Sequence, residues 1–498
     1  MSDIVYTGIN LMLPTMGRAK TRLPDFVNSA EETCGDRNNV VYSFMLHEGD
    51  TETEEYIKDR LPEERLSLHY ESLESPHLAK FWNRLYEETK FQDKRLMVSM
   101  VGDDMVFQSQ WWDDLLLDEC NKHHGLGVWF GDDCKNTHDA LMVNIFTTRR
   151  IVDGQRPFPF MCEAFPCDDM DWVWDHVTRR LGIRYYLPEF KLFHNHATFV
   201  PGNKDNVWER LRTVWPQVEK ERKNMEIYVS ERCEALKKNI PELTKTKPTV
   251  LFACMGRYGD VIHASLHANR LISMGYDITW LTIPMYASLV NVVSPDSKVL
   301  LFNNNDSAWE AITYKTLREY QGYCFYINAQ PGAPEYHDLW VGTGKSMMEC
   351  LSDIVRDSLS SPMMANGVDN KYIQCLPPIN DYGKYALVRG LPCPPVVCDC
   401  IVAPEIISTT AIWPEGGLEG VIKKYKPDLV LTKKCGYSFL QCISIIRACK
   451  LFIGQDSGLA WAALYSNCKK IIYHTKKRIS ETNMLFSKLN NSYEDVIL

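Results

Sequence analysis

The feature that most constrains this chain is its repeated alternation of short apolar runs with amphipathic stretches. In "PTVLFACMGRYGDVIHASLHANRLISMGYDITWLTI" (248–283) a strand, a glycine turn, a helix, a second glycine and another strand follow in order. A Rossmann-like βαβ unit opens this way. The theme returns in "KPDLVLTKK", "ACKLFIGQDSGLAWAALYS" and "KKIIYHT". Near the N-terminus it is set by "INLMLP", "FVNSAEET", "VVYSFML" and "RLMVSMV". Strand and helix taken in turn commit a chain to a layered α/β fold. With 498 residues there is material for two to four such domains.

Two breaks divide the pattern. Residues 201–247 are strongly charged and end in a Lys/Thr/Pro run, which predicts connecting helices between domains. "QCLPPINDYGKYALVRGLPCPPVVCDC" is rich in Pro and Cys and marks a second crossing near residue 380. The expected units are therefore 1–200, 201–247, 248–380 and 381–498.

Several classes are excluded or demoted. A net charge of −9 argues against affinity built on neutralising nucleic-acid phosphates. No apolar run approaches the ~18 residues of a membrane span, and the N-terminus lacks a signal-peptide pattern. Seventeen scattered cysteines read as reduced thiols of a cytoplasmic protein. Cys435, Cys442 and Cys449 recur every seven residues, as buried thiols on one helical face do, and Cys393, Cys398 and Cys400 lack the paired spacing of a zinc site. "VGTGKS" (341–346) ends like a phosphate-binding loop but has Leu339 where the first glycine belongs, and the turn holding Gly256 and Gly259 lacks the dinucleotide fingerprint.

Two constellations carry chemistry. In "RLMVSMVGDDMVFQSQWWDD" an apolar run delivers Asp103 and Asp104 to a strand end, where carboxylates can hold a divalent cation. Taken alone, a turn satisfying its own backbone is the plainer account. A second Gly-Asp-Asp, ending in Asp132 and Asp133, reads as such a turn or an acceptor-side contact. His194 and His196 share one face of an extended segment. Asp260 sits at a helix start facing a cleft, either as a base or as a helix cap.

The neighbourhood of the first constellation resembles the metal-dependent, inverting glycosyltransferases of family 2, with the GT-A fold. "LMLPTMGRAKTRLPDFVNSAEE" is similar to that family's opening strand and nucleotide-receiving turn, "VVYSFMLHEGDTETEE" to its second strand, and "LAKFWNRLYEETKFQDKRLMVSMVGDDMVF" to its helix and signature strand. "IFTTRRIVDGQRPFPFMCEAFPCDDMDWVWDHVTRRLGIRYYLPEFKLFHNH" resembles the acceptor half. The resemblance implies donor binding by Pro14, Thr15, Arg18, Glu48, Asp50, Asn83 and Asp103. It implies Mn²⁺ or Mg²⁺ on Asp103, Asp104, His194 and His196, and a base among Asp168, Asp169 and Asp171, where the register favours Asp171.

The C-terminal half resembles the heptosyltransferase-like glycosyltransferase family 9, with the GT-B fold. "LFACMGRYGDVIHASLHANRLISMGYDITWLT" looks like its first unit, which implies Asp260 as base. "KLFIGQDSGLAWAALYSNCKKIIYH" resembles its late motif, which implies a donor diphosphate on Asp456, Ser457 and Gly458 without metal. Trp461 stands where that family has His, and "STTAIWP" lacks the expected Lys.

The whole reads as α/β: a GT-A nucleotide-diphospho-sugar transferase domain followed by a GT-B-like pair of Rossmann-like sub-domains. The expected activity is tandem transfer from nucleotide sugars to a glycan or other hydroxyl acceptor. One alternative is a single GT-A enzyme with a non-catalytic C-terminal module that binds acceptor or partner. A viral-type transferase acting on nucleic-acid bases is more remote.

Overall fold

The computed structural model describes all residues except 1–3, 73–76, 135–140, 168, 196–212, 303–315, 318, 332, 334–344, 361–381, 405–412, 477–484 and 489–491. The chain forms two compact units, divided between Pro248 and Thr249.

The first unit is built on strands β1 (Gly8–Pro14), β2 (Val40–His47), β3 (Leu66–Glu71), β4 (Leu96–Met100), β5 (Met105–Phe107), β6 (Val128–Asp132), β7 (Ile145–Thr148) and β8 (Arg184–His194). They form one mixed sheet in the order β3-β2-β1-β4-β7-β6-β8-β5. β1 to β4 run parallel with Pro14 beside Met45 and Asn10 beside Val98, whereas β7 runs antiparallel to both β4 and β6. The runs are apolar on both faces because helices cover them. Those helices are α1 (Leu23–Thr33), α2 (Thr51–Arg60), α3 (Leu78–Glu88), α4 (Trp112–Lys122), α5 (Arg149–Gly154) and α6 (Met170–Leu181). In α1, Pro24 opens the helix and Leu23, Phe26, Val27 and Ala30 make its buried stripe. Phe107, Trp112, Phe146 and Phe190 fill the core beneath, with the Phe107 and Trp112 rings 4.4 Å apart.

β8 carries an irregularity where it passes β6, its register jumping from Gly131 opposite Leu187 to Asp132 opposite Lys191. A Cβ on Gly131 would fall 2.2 Å from the Phe190 carbonyl oxygen, so only glycine lets the bent strand pass. Beyond the bend β8 pairs antiparallel with β5, His194 opposite Met105.

The stretch expected as a connector, 201–247, packs on the first unit over its described residues. Helices α7 (Trp215–Glu221) and α8 (Met225–Asn239) belong to the first unit. Met225, Val229, Cys233 and Leu236 form a buried stripe on α8. Arg180 of α6 pairs with Glu226 at 2.5 Å, and a Cβ on Gly154 would meet Ile240 at 2.5 Å. Charge on the outer face masked this stripe in the sequence.

The second unit holds two wholly parallel sheets. One consists of β9 (Thr249–Ala253), β10 (Asp277–Thr282), β11 (Lys298–Leu301) and β12 (Phe325–Asn328) in the order β11-β10-β9-β12. The other consists of β13 (Cys400–Ala403), β14 (Leu429–Val430), β15 (Leu451–Gln455), β16 (Lys469–His474) and β17 (Tyr493–Ile497) in the order β14-β13-β15-β16-β17. Helices α9 (Tyr258–Ser273), α10 (Pro284–Val293), α11 (Met347–Ser360), α12 (Gly417–Tyr425), α13 (Phe439–Ala448) and α14 (Gly458–Ala462) accompany them. A single buried cluster runs from Phe252, Val261 and Trp280 through to Ile443, Phe452 and Leu464. The boundary expected at 380 lies outside the described residues.

The seven-residue cysteine repeat does not lie on one helix. Ser438 caps α13, accepting from the Gln441 amide while the Gln441 side chain accepts from Ser438 N. Gly436, at φ +72°, turns the chain just before, so Cys435 precedes the helix and Cys449 follows it.

Candidate active sites

β4 ends at Met100, and Asp103 and Asp104 follow in the turn that leads to β5. Asp103 is buried, 3 % exposed, and accepts from Thr15 Oγ1 at 2.7 Å and from the Arg18 guanidinium. Its neighbours act in opposite directions on its proton. Burial pushes the carboxyl up, the Arg18 charge and the Thr15 hydrogen bond pull it down, Asp104 pushes it up again, and the net shift is upward.

Asp104 faces Arg22 Nη1 at 3.4 Å and His194 Nε2 at 3.5 Å. The β5–β8 ladder delivers His194 there: Asn195 N donates to the Asp104 carbonyl at 2.7 Å and His194 N to the Asp133 carbonyl at 3.1 Å. Residues from β1, β4 and β8, far apart in sequence, thus meet at one carboxylate pair. His196 lies outside the described residues, among which no group of three or more His, Cys, Asp or Glu side chains is gathered to hold a metal ion. Asp104 and His194 are the two donors the structure brings together.

Pro14 ends β1 beside Met45, and Thr15 N donates to the Met45 carbonyl at 3.0 Å, which fixes the turn bearing Arg18 and Arg22. Asp50 braces that turn: it accepts from Gly17 N at 2.6 Å and from Thr53 N at 3.2 Å, capping α2. Glu48 is exposed beside it. Asn83 is instead locked into the fold. Its amide donates to the Met161 carbonyl at 3.1 Å and to Glu163 Oε1 at 2.9 Å, and its carbonyl accepts from Met161 N at 2.6 Å. It clamps the 161–163 loop.

Asp168 is outside the described residues. Asp169 sits at φ +62° before α6 with both carboxylate oxygens engaged by Arg222, at 2.5 and 3.0 Å. Asp171 is half-buried in the first turn of α6 and accepts from Trp172 N at 2.9 Å. Both oxygens of Asp169 are thus committed to one guanidinium. Asp132 makes the expected local turn, accepting from Cys134 N at 3.0 Å.

The sequence reading passed over Arg22 and Arg222. Arg22 could have been found, since it stands four residues after Arg18 and just before α1. Arg222 could not, because 53 positions separate it from Asp169.

In the second unit Asp260 lies in the first turn of α9 and accepts from Arg257 N at 3.1 Å, as a helix cap does. The turn carrying Asp456, Ser457 and Gly458 follows β15 and comes directly against it. A Cβ on Gly259 would lie 3.5 Å from Gly458 Cα and 3.3 Å from Trp461 Cδ1. Two glycines therefore let the α9 start and the Asp456 turn touch. Trp461 does not face outward as a ligand-binding side chain would: it is buried, stacked on His263 at 5.2 Å and packed on Phe486 at 5.0 Å. Among the described residues His263 finds no hydrogen-bond partner for either ring nitrogen, and burial pushes it down to about 3.

No helix among the described residues is long and apolar enough to cross a membrane. No family model and no curated protein matches the chain. Solved structures match parts of it. S. aureus TarS is 10% identical with a TM-score of 0.31, covering 53% of this chain and 49% of that one, so the match spans about half of TarS. E. coli heptosyltransferase WaaC with ADP is 13% identical with a TM-score of 0.32, covering 50% of this chain and 93% of that one. Mannosyltransferase PcManGT from Pyrobaculum calidifontis, in complex with GDP-Man and Mn²⁺, is 11% identical with a TM-score of 0.30, covering 47% of this chain and 76% of that one.

Proposed function

We propose that this chain is a glycosyltransferase with two sites, both taking sugar from nucleotide-diphospho-sugars to a hydroxyl acceptor. One is metal-dependent and inverting, in a GT-A domain over 1–200; the other is metal-independent, in a GT-B-like pair from 248 onward. The reading rests above all on the convergence of Thr15, Arg18, Arg22 and His194 on Asp103 and Asp104.

Asp104 and His194 offer an oxygen and a nitrogen donor 3.5 Å apart, a set that suits Mn²⁺ better than Mg²⁺. They would hold the cation, which when bound neutralises the leaving diphosphate. Arg18 and Arg22 bring two further positive charges to the same place, Asp103 orienting Arg18 and Asp104 facing Arg22. Asp171 takes the acceptor proton, since Asp169 is engaged by Arg222. In the second unit Asp260 takes the proton, and the touching turns at Gly259 and Gly458 receive the diphosphate without metal.

The burial of Trp461 favours a second reading, in which residues 248–498 bind acceptor or partner without turnover. One experiment separates the two: nucleotide release from UDP-, GDP- and ADP-sugars by the full chain, with and without EDTA. The Asp103→Ala, Asp104→Ala variant is expected to lose metal-dependent release and to keep an EDTA-resistant part that Asp260→Asn removes. Metal-dependent turnover in the double variant refutes the first site. Absence of any EDTA-resistant turnover refutes the second catalytic site.

A further inference from the structure

We infer that Cys449 and Cys468 form a thiol pair of the second unit that hydrogen peroxide closes to an intramolecular disulfide. The inference is independent of which sugar or nucleotide the unit takes.

Cys449 follows α13 and Cys468 comes just before β16. β15 and β16 pair in parallel with Leu451 opposite Lys469, and Lys469 N donates to the Lys450 carbonyl at 3.0 Å. The residues that lead into the two strands are therefore neighbours, and the two thiols are hydrogen-bonded to each other. Both are free cysteines. Ser466 Oγ lies 3.0 Å from Cys468 Sγ. The thiols are buried, but the side chains of Lys450 and Lys469 beside them are 78 % and 63 % exposed. Peroxide, scarcely larger than water, is the oxidant such a position admits.

A buried cation gives this pair a reason to ionise. Lys470 is fully buried, and its Nζ donates to the Ser466 carbonyl at 2.8 Å and to Ser492 Oγ at 2.7 Å, 5.1 Å from the centre of the Tyr493 ring. None of these groups is an anion, and no carboxylate among the described residues is paired with Lys470. An ammonium left so is costly unless an opposite charge stands by. Burial pulls Lys470 down, and Cys468 and Cys449 push it back up. The bond from Cys449 holds Cys468 below the usual thiol range despite burial, and Ser466 and Lys470 pull the same way. Cys449, sharing that bond, is pushed up. The Ile446 carbonyl, 3.1 Å from Cys449 Sγ, is a second acceptor that keeps this thiol protonated. Cys468 is thus the nucleophile and Cys449 the resolving thiol.

The Cys468 thiolate attacks one peroxide oxygen, so that an S–O bond forms while the O–O bond breaks. Hydroxide leaves with the electron pair and takes up the proton that Cys468 gave away, forming water. The Cys449 sulfur then attacks the sulfenic sulfur: the S–S bond forms, the S–O bond breaks, and the Cys449 proton leaves with the departing oxygen as a second water. Two thiols are oxidised and one peroxide is reduced. The ring so closed contains β15, the turn bearing Asp456, Ser457 and Gly458, and α14. Oxidation therefore ties both ends of the segment that carries this turn.

The test treats the reduced full chain with limiting hydrogen peroxide at about pH 7 and digests it with trypsin in the absence of reductant. Peptides 448–450 and 451–469 are expected to appear joined, to separate with dithiothreitol, and to form about tenfold faster than the exposed thiol Cys393 is oxidised. Cys449 and Cys468 still reduced when Cys393 has been oxidised overturn the inference. Cys449→Ser is expected to stop at a Cys468 sulfenic acid, read as a gain of one oxygen on peptide 451–469. An unmodified Cys468 in that variant removes it as the nucleophile. Lys470→Met should slow closure about tenfold, and closure at the wild-type rate in the folded variant overturns the role of the buried charge. Ser466→Ala, which leaves the carbonyl that holds Lys470, should slow it about threefold and keeps this arm decisive where Lys470→Met does not fold. Hydrogen exchange over 456–462 should slow in the disulfide form, and exchange as fast as in the reduced chain overturns the tethering of the turn.

Discussion

Arg18→Gln is the sharpest physical test of the first site, because Asp103 is a nearly inaccessible carboxylate in contact with the Arg18 guanidinium. The side chains of Arg18 and Asp103 are 13 % and 3 % exposed, so solvent screens their attraction little. Removing one partner of a buried ion pair costs about 3–5 kcal/mol, since the remaining charge keeps its desolvation penalty. Here the Thr15 hydrogen bond survives, which places the expected loss near the lower end, about 3 kcal/mol at about pH 8.

The loss must also depend on pH, with a definite sign. Asp103 is already raised by burial despite Arg18, and removing that charge raises it further. A carboxyl raised in the folded state binds its proton more tightly there than in the unfolded chain. Its stabilising effect is full at low pH and disappears as pH rises through the folded value. The deficit of the variant against wild type should therefore be smaller at about pH 5 than at about pH 8, with a slope of at most about 1.4 kcal/mol per pH unit. Hydrogen exchange of peptides covering β1 and β4, followed over a denaturant series, reads that local free energy. The double variant Arg18→Gln, Asp103→Asn should recover much of the loss. A deficit under about 1 kcal/mol, the same at both pH values and unrelieved in the double variant, refutes the account of Asp103 as a buried charge held by Arg18.

Two further predictions follow from the same structure. His263, pushed down to about 3 by burial, is neutral when folded, so its contribution is complete above the unfolded value near 6.5 and is lost as pH falls toward 3. Replacing it in His263→Phe should make the second unit more stable than wild type by about 2 kcal/mol at about pH 5 in acid-unfolding curves, and an unchanged acid limb would defeat this. Asp171→Asn should abolish metal-dependent transfer by the first unit, whereas Asp169→Asn should keep measurable kcat. The opposite ranking in initial-rate assays would reassign the base.

The strands and most helices were legible in the sequence because their causes are local. "INLMLP" and "LMVSM" have the apolar runs of strands buried on both faces, and Leu23, Phe26, Val27 and Ala30 the spacing of a covering helix. The strand end bearing Asp103 and Asp104, and the helix start bearing Asp260, were legible for the same reason. In the 201–247 stretch the outer charges outnumber the Met225, Val229 and Leu236 stripe of α8, so its burial was not legible in the sequence.

What the sequence by itself determined is thus which residue types stand at strand ends and helix starts, since those depend on neighbours a few positions away. Only the tertiary structure decided which of them meet. His194 reaches Asp104 because an irregular β8 turns to pair with β5. Arg222, between α7 and α8, engages Asp169, and Asn83 clamps the 161–163 loop. Gln330 accepts from Met255 N because β12 lies next to β9, a pairing of strands 75 positions apart that no local pattern records.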